Sequence, residues 1–181
     1  MKKVMHKVFP VWSFDKEEKW LNDMSAKGWQ LCDVGFCRYT FEEGSQGEYV
    51  YRLELLDNMP ATEQSKKYIQ FLEDTGAEHV GTLLRWVYFR KKAGMAGFDL
   101  YSDVGSRIQH LNRILFLVGI LAALNLFNSV NLMFLRPADP PTDANTVLGT
   151  ICLAVGILLA AGFLYLYTKK LKLKREKLLH E

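Results

Sequence analysis

The chain has 181 residues, 49% of them hydrophobic, and a formal net charge of +3. This length allows one small folded domain beside any membrane segment, and the charge total does not indicate a nucleic-acid-binding protein. The three cysteines, Cys32, Cys37 and Cys152, do not form the pattern of a secreted disulfide framework, which favours a reducing, cytosolic setting for the N-terminal part.

Residues 1–92 predict a small α+β domain. Apolar alternation bounded by turn residues predicts the strands, and 3.6-residue periodicity predicts the helices. In chain order these elements are a strand Lys7–Phe14, a helix from Asp15 to a stop at Gly28, strands Trp29–Phe41 and Glu48–Leu56, a helix from Pro60 to a stop at Gly76, and a strand Glu78–Arg90. The order βαββαβ is that of a ferredoxin-like fold.

The start of the first helix carries a cluster of acidic residues. Asp15 is expected to be the N-cap and Glu18 to complete a capping box. The adjacent carboxylates Glu17 and Glu18 are interpreted as solvated groups of this first turn, and so is the pair Glu42 and Glu43 at a hairpin tip.

A weak internal repeat supports the doubled βαβ arrangement. WLNDMSAKGW, starting at Trp20, and YIQFLEDTGA, starting at Tyr68, share an aromatic first position, an apolar second position and a late glycine. Each is followed by a strand with aromatic residues near its end.

Apolar residues appear on both faces of the later strands, which predicts a cover for the sheet face that carries no helix. A second copy of the chain is the first candidate for that cover, so a homo-oligomer is expected. The residues proposed to face a partner are Tyr49, Tyr51, Trp86 and Tyr88.

Two uncharged apolar segments follow the domain. Residues 93–113 are expected to be a linker and an amphipathic juxtamembrane helix, followed by a first membrane span over 114–135, a loop over 136–146, a second span over 147–167 and a basic tail over 168–181. Each span is long enough to cross a hydrocarbon core of roughly 30 Å as a helix. The sequence therefore predicts a transmembrane hairpin.

The distribution of basic residues predicts its orientation. Arg107 and Arg113 precede the first span, a cluster follows the second, and the loop carries Arg136 alone. The positive-inside rule then places both termini in the cytoplasm, in a multi-pass protein of the plasma membrane. The cluster consists of candidate contacts to lipid headgroups: Lys169, Lys170, Lys172, Lys174, Arg175 and Lys177.

Three asparagines recur at every third position of the first span: Asn125, Asn128 and Asn131. An amide facing lipid is costly, whereas one facing a neighbouring helix can form a hydrogen bond. These residues are therefore candidates for helix packing.

Part of the sequence resembles a known family. KGWQLCDVGFCRYTFEEGSQGEYVYRLELL, FLEDTGAEHVGTLLRWVYFRKK and FDLYSDVGSRIQHLNRI are similar to the bacterial domain-of-unknown-function 2812 family, and AEHVGTLLRWVYFRKK, with His79 and Arg85, is the most specific piece. The resemblance covers residues 7–114. It implies a cytosolic domain with C-terminal membrane spans and a PadR-type transcription regulator as partner, but it carries no catalytic residues.

No motif indicates a reaction. The four histidines lack metal-ligand spacing, and no nucleophile elbow, Walker A or dinucleotide fingerprint is present, so no enzyme, cofactor or metal site is predicted. GFCRYTF only partly matches an RNA-recognition strand and lies on the wrong strand, so direct nucleic-acid binding is not expected. The preferred hypothesis is a membrane-anchored, non-enzymatic sensor or regulatory protein. The alternative is a small transporter-accessory or permease-like protein built around the asparagine-bearing hairpin.

Overall fold

The structure is a computed structural model that describes residues 1–94, 98, 100, 104–135 and 143–180. It divides into two compact units, Met1–Ser102 and Asp103–Glu181. The first is a mixed α+β unit and the second consists of two long helices. The predicted juxtamembrane segment and loop fall partly outside the described residues.

The first unit contains two three-stranded antiparallel sheets and two helices. Sheet A has the strand order β1-β3-β2 and sheet B the order β4-β6-β5. The elements are β1 (Lys2–His6), a 3-10 turn (Val11–Ser13), α1 (Phe14–Ala26), β2 (Trp29–Gly35), β3 (Arg38–Glu43), β4 (Tyr49–Leu55), α2 (Glu63–Asp74), β5 (Glu78–Leu83) and β6 (Trp86–Lys92).

The ferredoxin-like order is not confirmed, because two predicted single strands are each a hairpin. The chain reverses at Phe36–Cys37 and again at Leu84–Arg85. Cys37 has φ 53° and Leu84 has φ 56°, so each turn places a side chain where glycine or asparagine is usual. Because neither position carries glycine or asparagine, no turn could be predicted there. The unit is a tandem βαββ repeat.

Equivalent residues of the two repeats are separated by a constant number of positions in the sequence. Each begins its hairpin after a glycine of positive φ, Gly28 or Gly76. Each first hairpin strand carries one irregularity in register, at Cys32 in β2 and at Val80 in β5. Both pairs are 48 positions apart, so the internal repeat extends to the bulges. The predicted helix stops at the two glycines are also confirmed.

The core surrounds both faces of sheet B. Tyr88 and Leu53 pack in one cluster with Leu21 and Met24 of α1, which also contains Tyr39 and Phe41 of sheet A. The alternate residues Val87 and Phe89 pack in a second cluster with Leu72 of α2. Each face of sheet B is therefore covered by a helix of the same chain.

One face of α1 hydrogen-bonds along the free edge of β4. Glu18 Oε2 accepts from the Leu53 N–H at 3.2 Å, and Ser25 Oγ donates to the Tyr49 carbonyl at 2.6 Å. Asn22, between them, binds Tyr51. From Glu18 to Asn22 four helical residues advance about 6 Å, close to the roughly 6.6 Å between Leu53 and Tyr51, and three more residues bring Ser25 to Tyr49. A sheet edge open to other strands is thereby closed.

These contacts correct the predicted start of the helix. The N-cap is Ser13, which makes no side-chain capping bond, and Asp15 lies inside the first turn. Glu18 binds β4 instead of completing a capping box. In α2, by contrast, Thr62 caps the helix by accepting from the Ser65 N–H at 3.3 Å.

The second unit consists of α3 (Val104–Val130), a π-helical turn (Asn131–Leu135) and α4 (Asp143–His180). Glycines allow the two helices to pack closely. A Cβ on Gly156 would lie 2.8 Å from Leu126 Cδ2, and one on Gly119 would lie 3.3 Å from Phe163 Cε2. Both helices are long and apolar enough to cross a membrane, over Val104–Phe134 and Ala144–Leu178.

Candidate functional site

A cleft of about 130 Å³ lies where the two irregular strands β2 and β5 come together. It is lined by Leu31 and Cys32 of β2, His79 and Val80 of β5, and Arg90 of β6. Two of these residues, Cys32 and Val80, are the equivalent bulge positions of the two repeats. Bulges redirect side chains and are frequent beside functional sites. The boundary between the repeats is therefore the first candidate site of this unit.

Arg90 forms one wall of the cleft and is held by three contacts. Its Nε donates to Glu78 Oε2 at 2.7 Å, its Nη1 donates to the Leu31 carbonyl at 3.2 Å, and its Cζ lies 4.2 Å from the centre of the Tyr49 ring. Burial alone would lower the pKa of Arg90, but the Glu78 carboxylate and the Tyr51 hydroxyl together outweigh it, so the pKa is raised. Arg90 of the second repeat thus binds Leu31 of the first repeat and links the two repeats.

Cys32 and His79 bring the other polar atoms to the cleft. The Cys32 thiol lies 3.3 Å from the Thr40 carbonyl, and burial raises its pKa, so it stays protonated at neutral pH. His79 is exposed and its Nε2 lies 2.8 Å from Thr82 Oγ1. A thiolate nucleophile requires a lowered pKa. The cleft is therefore a small polar contact surface and has no activated thiol.

A buried carboxyl group joins α1 to both sheets. Tyr39 of β3 and Tyr88 of β6 each donate a hydrogen bond to Glu17 Oε1, at 2.7 and 2.6 Å. Burial raises the pKa of Glu17, although the two hydroxyl donors act in the opposite direction. Burial and the neighbouring carboxylate also raise the pKa of both tyrosines.

The interpretation of Glu17 as a solvated residue was therefore wrong, since only 8% of it is exposed. The spacing of Glu17, Leu21 and Met24 could have predicted this burial, because the three residues lie on one helical face. The carboxyl sits among the apolar residues of that face and needs the two hydroxyl groups as partners.

The residues expected to face a partner lie inside the unit or against it. Tyr51 is fully buried, accepts from the Leu31 N–H at 2.8 Å and lies 3.2 Å from Gln30 Oε1. Tyr88 is 3% exposed and binds Glu17. Tyr49 is half-buried beneath Arg90, and Trp86 is half-buried against Phe14. The reason for expecting a partner at this face is removed, because α1 is its cover.

Two exposed apolar side chains instead mark the hairpin tips. Phe36 is 84% exposed and Leu84 is 75% exposed, and they occupy equivalent positions in the two repeats. Leu84 also has a positive φ, which is strained for a bulky side chain. The next residue, Arg85, folds back and its Nε donates to the Leu56 carbonyl at 2.9 Å. Sequence patterns missed these tips because both lay inside predicted strands.

In the second unit, the asparagine amides bond along their own helix. Asn125 Nδ2 donates to the Leu121 carbonyl at 2.8 Å, and Asn131 Nδ2 donates to the Phe127 carbonyl at 3.0 Å. Asn128 is exposed. The hydrogen bonds found for Asn125 and Asn131 therefore run within one helical segment, and packing of the three asparagines against another helix stays a prediction.

The basic cluster lies on the C-terminal part of α4, which continues as a helix to His180. Lys169 and Lys170 are half-buried, and the other members are exposed: Lys172, Lys174, Arg175 and Lys177. Among the described residues, no group of three or more His, Cys, Asp or Glu side chains could hold a metal ion.

Comparison with known protein families identifies the family of this chain. The model of a family described as protein of unknown function (DUF2812) matches residues 13–123, close to the range indicated by the sequence resemblance. No match was found among curated proteins or solved structures.

Proposed function

This chain belongs to the family described as protein of unknown function (DUF2812), and we propose that it is a membrane-anchored sensor or regulatory protein that acts by binding. Its first unit is the binding part and its helical unit is the anchor. Two features support this division: the exposed apolar surface of the helices and the exposed apolar tips of the hairpins.

The single observation that carries the proposal is the outward-facing apolar surface of α3 and α4. In their most apolar stretches only 28% and 17% of residues are buried. Large side chains such as Phe116, Phe127 and Leu164 are 71%, 64% and 62% exposed. A soluble protein would cover surface of this size, and lipid is the solvent that covers it here. In this proposal both ends lie in the cytoplasm, on the side of the basic cluster.

The hairpin tips are the proposed binding surface of the first unit. Within the described part of the chain, Phe36 and Leu84 expose apolar area to solvent, and strain at Leu84 is a cost that binding can offset. A PadR-type transcription regulator is the candidate partner that the family resemblance implied. Self-association through Tyr51 and Tyr88 is no longer supported, so a different protein is the preferred partner.

The transporter-like alternative has less support. It depended on asparagine side chains forming a polar path between helices, whereas the bonds of Asn125 and Asn131 run to carbonyls of their own helix. A permease built from this hairpin would need polar side chains that face a shared pathway.

Site-specific photocrosslinking in living cells tests the proposal. A photoreactive amino acid at position 36 or 84 of the full chain should give a crosslinked product containing a second protein. The same residue at position 71 should not, because Phe71 is also exposed, at 61%, but lies on α2. Products of equal yield at all three positions, or crosslinks only to a second copy, would contradict the proposed surface.

Anchoring is tested separately by fractionation. The full chain should stay in the membrane pellet after an alkaline carbonate wash, and the same chain carrying Phe116→Asn, Leu124→Asn and Leu164→Asn should be extracted. Release of the unaltered chain by carbonate would overturn the anchor and leave the crosslinking result unaffected.

A further inference from the structure

An open groove of about 460 Å³ runs along the outside of the hairpin between α3 and α4. Its volume falls in the range of about 300–1,000 Å³ that small-molecule sites occupy. Apolar side chains line most of its length, and Lys170 and Asn112 lie at one end. The groove therefore has a cationic, hydrogen-bonding mouth and an apolar body.

Small residues form the body of the groove. Gly119 and Ala123 lie one helical turn apart on α3, and Gly119 has no side chain to keep Phe163 away. On the α4 side, the rings of Phe163 and Tyr167 are stacked nearly parallel, with an interplanar angle of 7° and centroids 6.3 Å apart. Together they make a flat apolar wall beside a shallow floor.

The length of the groove matches one leaflet of a bilayer. Asn112 and Ala123 are eleven residues apart on α3, which corresponds to about 16 Å of helix. Half of a hydrocarbon core of about 30 Å is about 15 Å. An occupant with its charged group at Lys170 would thus reach the bilayer midplane near Ala123.

We propose that this groove binds one anionic phospholipid of the surrounding bilayer. One acyl chain lies along Gly119 and Ala123 against the Phe163 and Tyr167 rings, and the phosphate accepts hydrogen bonds from the Lys170 ammonium and the Asn112 amide. Lys174 follows Lys170 by four residues on the same face of α4 and increases the positive potential at the mouth. The inference rests on the proposed membrane anchor.

A phospholipid fits this groove better than another transmembrane helix does. A lysine held against an apolar helix–helix interface needs an anionic partner. A lipid phosphate supplies that charge at the depth of Lys170, and the apolar chain attached to it fills the remainder of the groove.

The test uses the full chain reconstituted in bilayers of equal parts palmitoyl-oleoyl phosphatidylglycerol and phosphatidylcholine. Native mass spectrometry then measures which lipid stays bound after mild detergent extraction. The chain should retain phosphatidylglycerol preferentially. Lys170→Gln should lower that preference about fivefold, the effect expected for one basic contact. Lys172→Gln, which removes the same charge from an exposed neighbour outside the groove, should leave the preference nearly unchanged.

A second pair of variants tests the groove body without changing charge. Ala123→Phe should fill the groove and remove the retained lipid. Ala161→Phe places the same side chain on an exposed position of α4 outside the groove, and should retain it.

Three results would overturn the inference. The first is equal retention of both lipids, and the second is equal effects of Lys170→Gln and Lys172→Gln. The third is an Ala123→Phe variant that still binds lipid, while chemical crosslinking in the same bilayers gives a dimer of the unaltered chain and none of the variant. That result would make a second copy the occupant. In each case the chain is still inserted in the bilayer, so the anchor itself is not in question. Failure of the chain to enter bilayers would instead contradict the proposed function.

Discussion

The side-chain amide of Asn22 pairs with both backbone polar groups of Tyr51. Its Oδ1 accepts from the Tyr51 N–H at 2.8 Å, and its Nδ2 donates to the Tyr51 carbonyl at 3.1 Å. The amide thus takes the place of a neighbouring strand at the middle of the β4 edge, where the flanking contacts of Glu18 and Ser25 exclude another chain.

The first prediction concerns this pair. Asn22→Ala should lower the free energy of unfolding by about 1–3 kcal/mol, because the Tyr51 N–H loses its acceptor and the Tyr51 carbonyl keeps only the Arg52 guanidinium as a donor. Asn22→Asp keeps an acceptor for the N–H but loses the donor to the carbonyl, so its effect should be intermediate. The four tryptophans, Trp12, Trp20, Trp29 and Trp86, all lie in the first unit, so fluorescence during denaturation of the micelle-solubilised chain reports on that unit. The exposed neighbour Asp23→Ala is the control, and an equal loss there would contradict the edge-closing role.

The second prediction is a pH dependence that originates at Glu17. Burial raises the pKa of Glu17 in the folded state above the ordinary value of 4.5. The folded state therefore binds this proton more tightly than the unfolded chain does. Its contribution to stability is fully present below pH 4.5 and is lost as pH rises through the folded-state pKa.

Glu17→Gln should remove this fall in stability. From pH 4 to neutrality, the unfolding free energy of the variant should therefore rise relative to that of the unaltered chain. The rise should be ~1.4 kcal/mol for each unit by which folding raises the pKa of Glu17. Asp23→Asn, at an exposed position of the same helix, should show the same pH dependence of the unfolding free energy as the unaltered chain. A difference that is constant with pH would show that the carboxyl is not the group responsible.

The third prediction concerns the strained hairpin tip. Leu84→Gly should stabilise the first unit by ~0.5–1.5 kcal/mol, because glycine adopts a positive φ without a steric penalty. Phe36→Gly removes a comparably exposed side chain at the other tip, where φ is not positive, and should be neutral or destabilising. Thermal denaturation of both variants checks this, and a stabilising Phe36→Gly would remove the strain argument. If Leu84 contacts a partner, Leu84→Gly should also weaken the crosslink formed from a photoreactive residue at position 36.

The fourth prediction concerns the hairpin of the second unit. Gly156→Ala should weaken the packing of α3 against α4, because its Cβ would lie 2.9 Å from Leu126 Cγ and 3.3 Å from the Leu126 backbone nitrogen. Gly119→Ala should have a smaller effect, because the nearest atom is a Phe163 ring carbon at 3.3 Å. Titration of SDS into the micelle-solubilised chain, with a fluorescence pair across the two helices, measures the order. A reversed order would indicate that the two helices do not pack as described.

The fifth prediction is the orientation of the chain. In a chain whose native cysteines are replaced, a cysteine at position 142 should react with an impermeant thiol reagent in intact cells, and one at position 45 should not. The reason is that the loop is poor in basic residues and the two flanks are rich in them. Labelling at position 45 alone would reverse the topology. Cys37 is best replaced by asparagine, because its φ is positive.

Periodicity and glycine positions predicted the helices, their stops at Gly28 and Gly76, and both apolar segments. The two hairpins were not predicted because Phe36–Cys37 and Leu84–Arg85 lack the residues that favour a chain reversal. Tertiary contacts stabilise these turns instead. Alternation correctly indicated two apolar faces around Tyr88, but it contains no information on what covers each face. Glu17 was missed because a carboxyl group in a first helical turn is usually solvated, and only the long-range positions of Tyr39 and Tyr88 make its burial tolerable.

The uninterrupted length of α4 determines how far each of its basic residues would lie from the surface of a bilayer. Its 38 residues span about 57 Å, nearly twice a hydrocarbon core of about 30 Å. Inserted in a bilayer, the helix would project beyond it as a stiff rod with basic side chains at increasing heights. Lys177 stands about 10 Å farther along this rod than Lys170, roughly one screening length at physiological salt. Only the lowest charges would therefore sense the lipid composition, whereas the upper ones stand at a height that a soluble acidic surface would reach first.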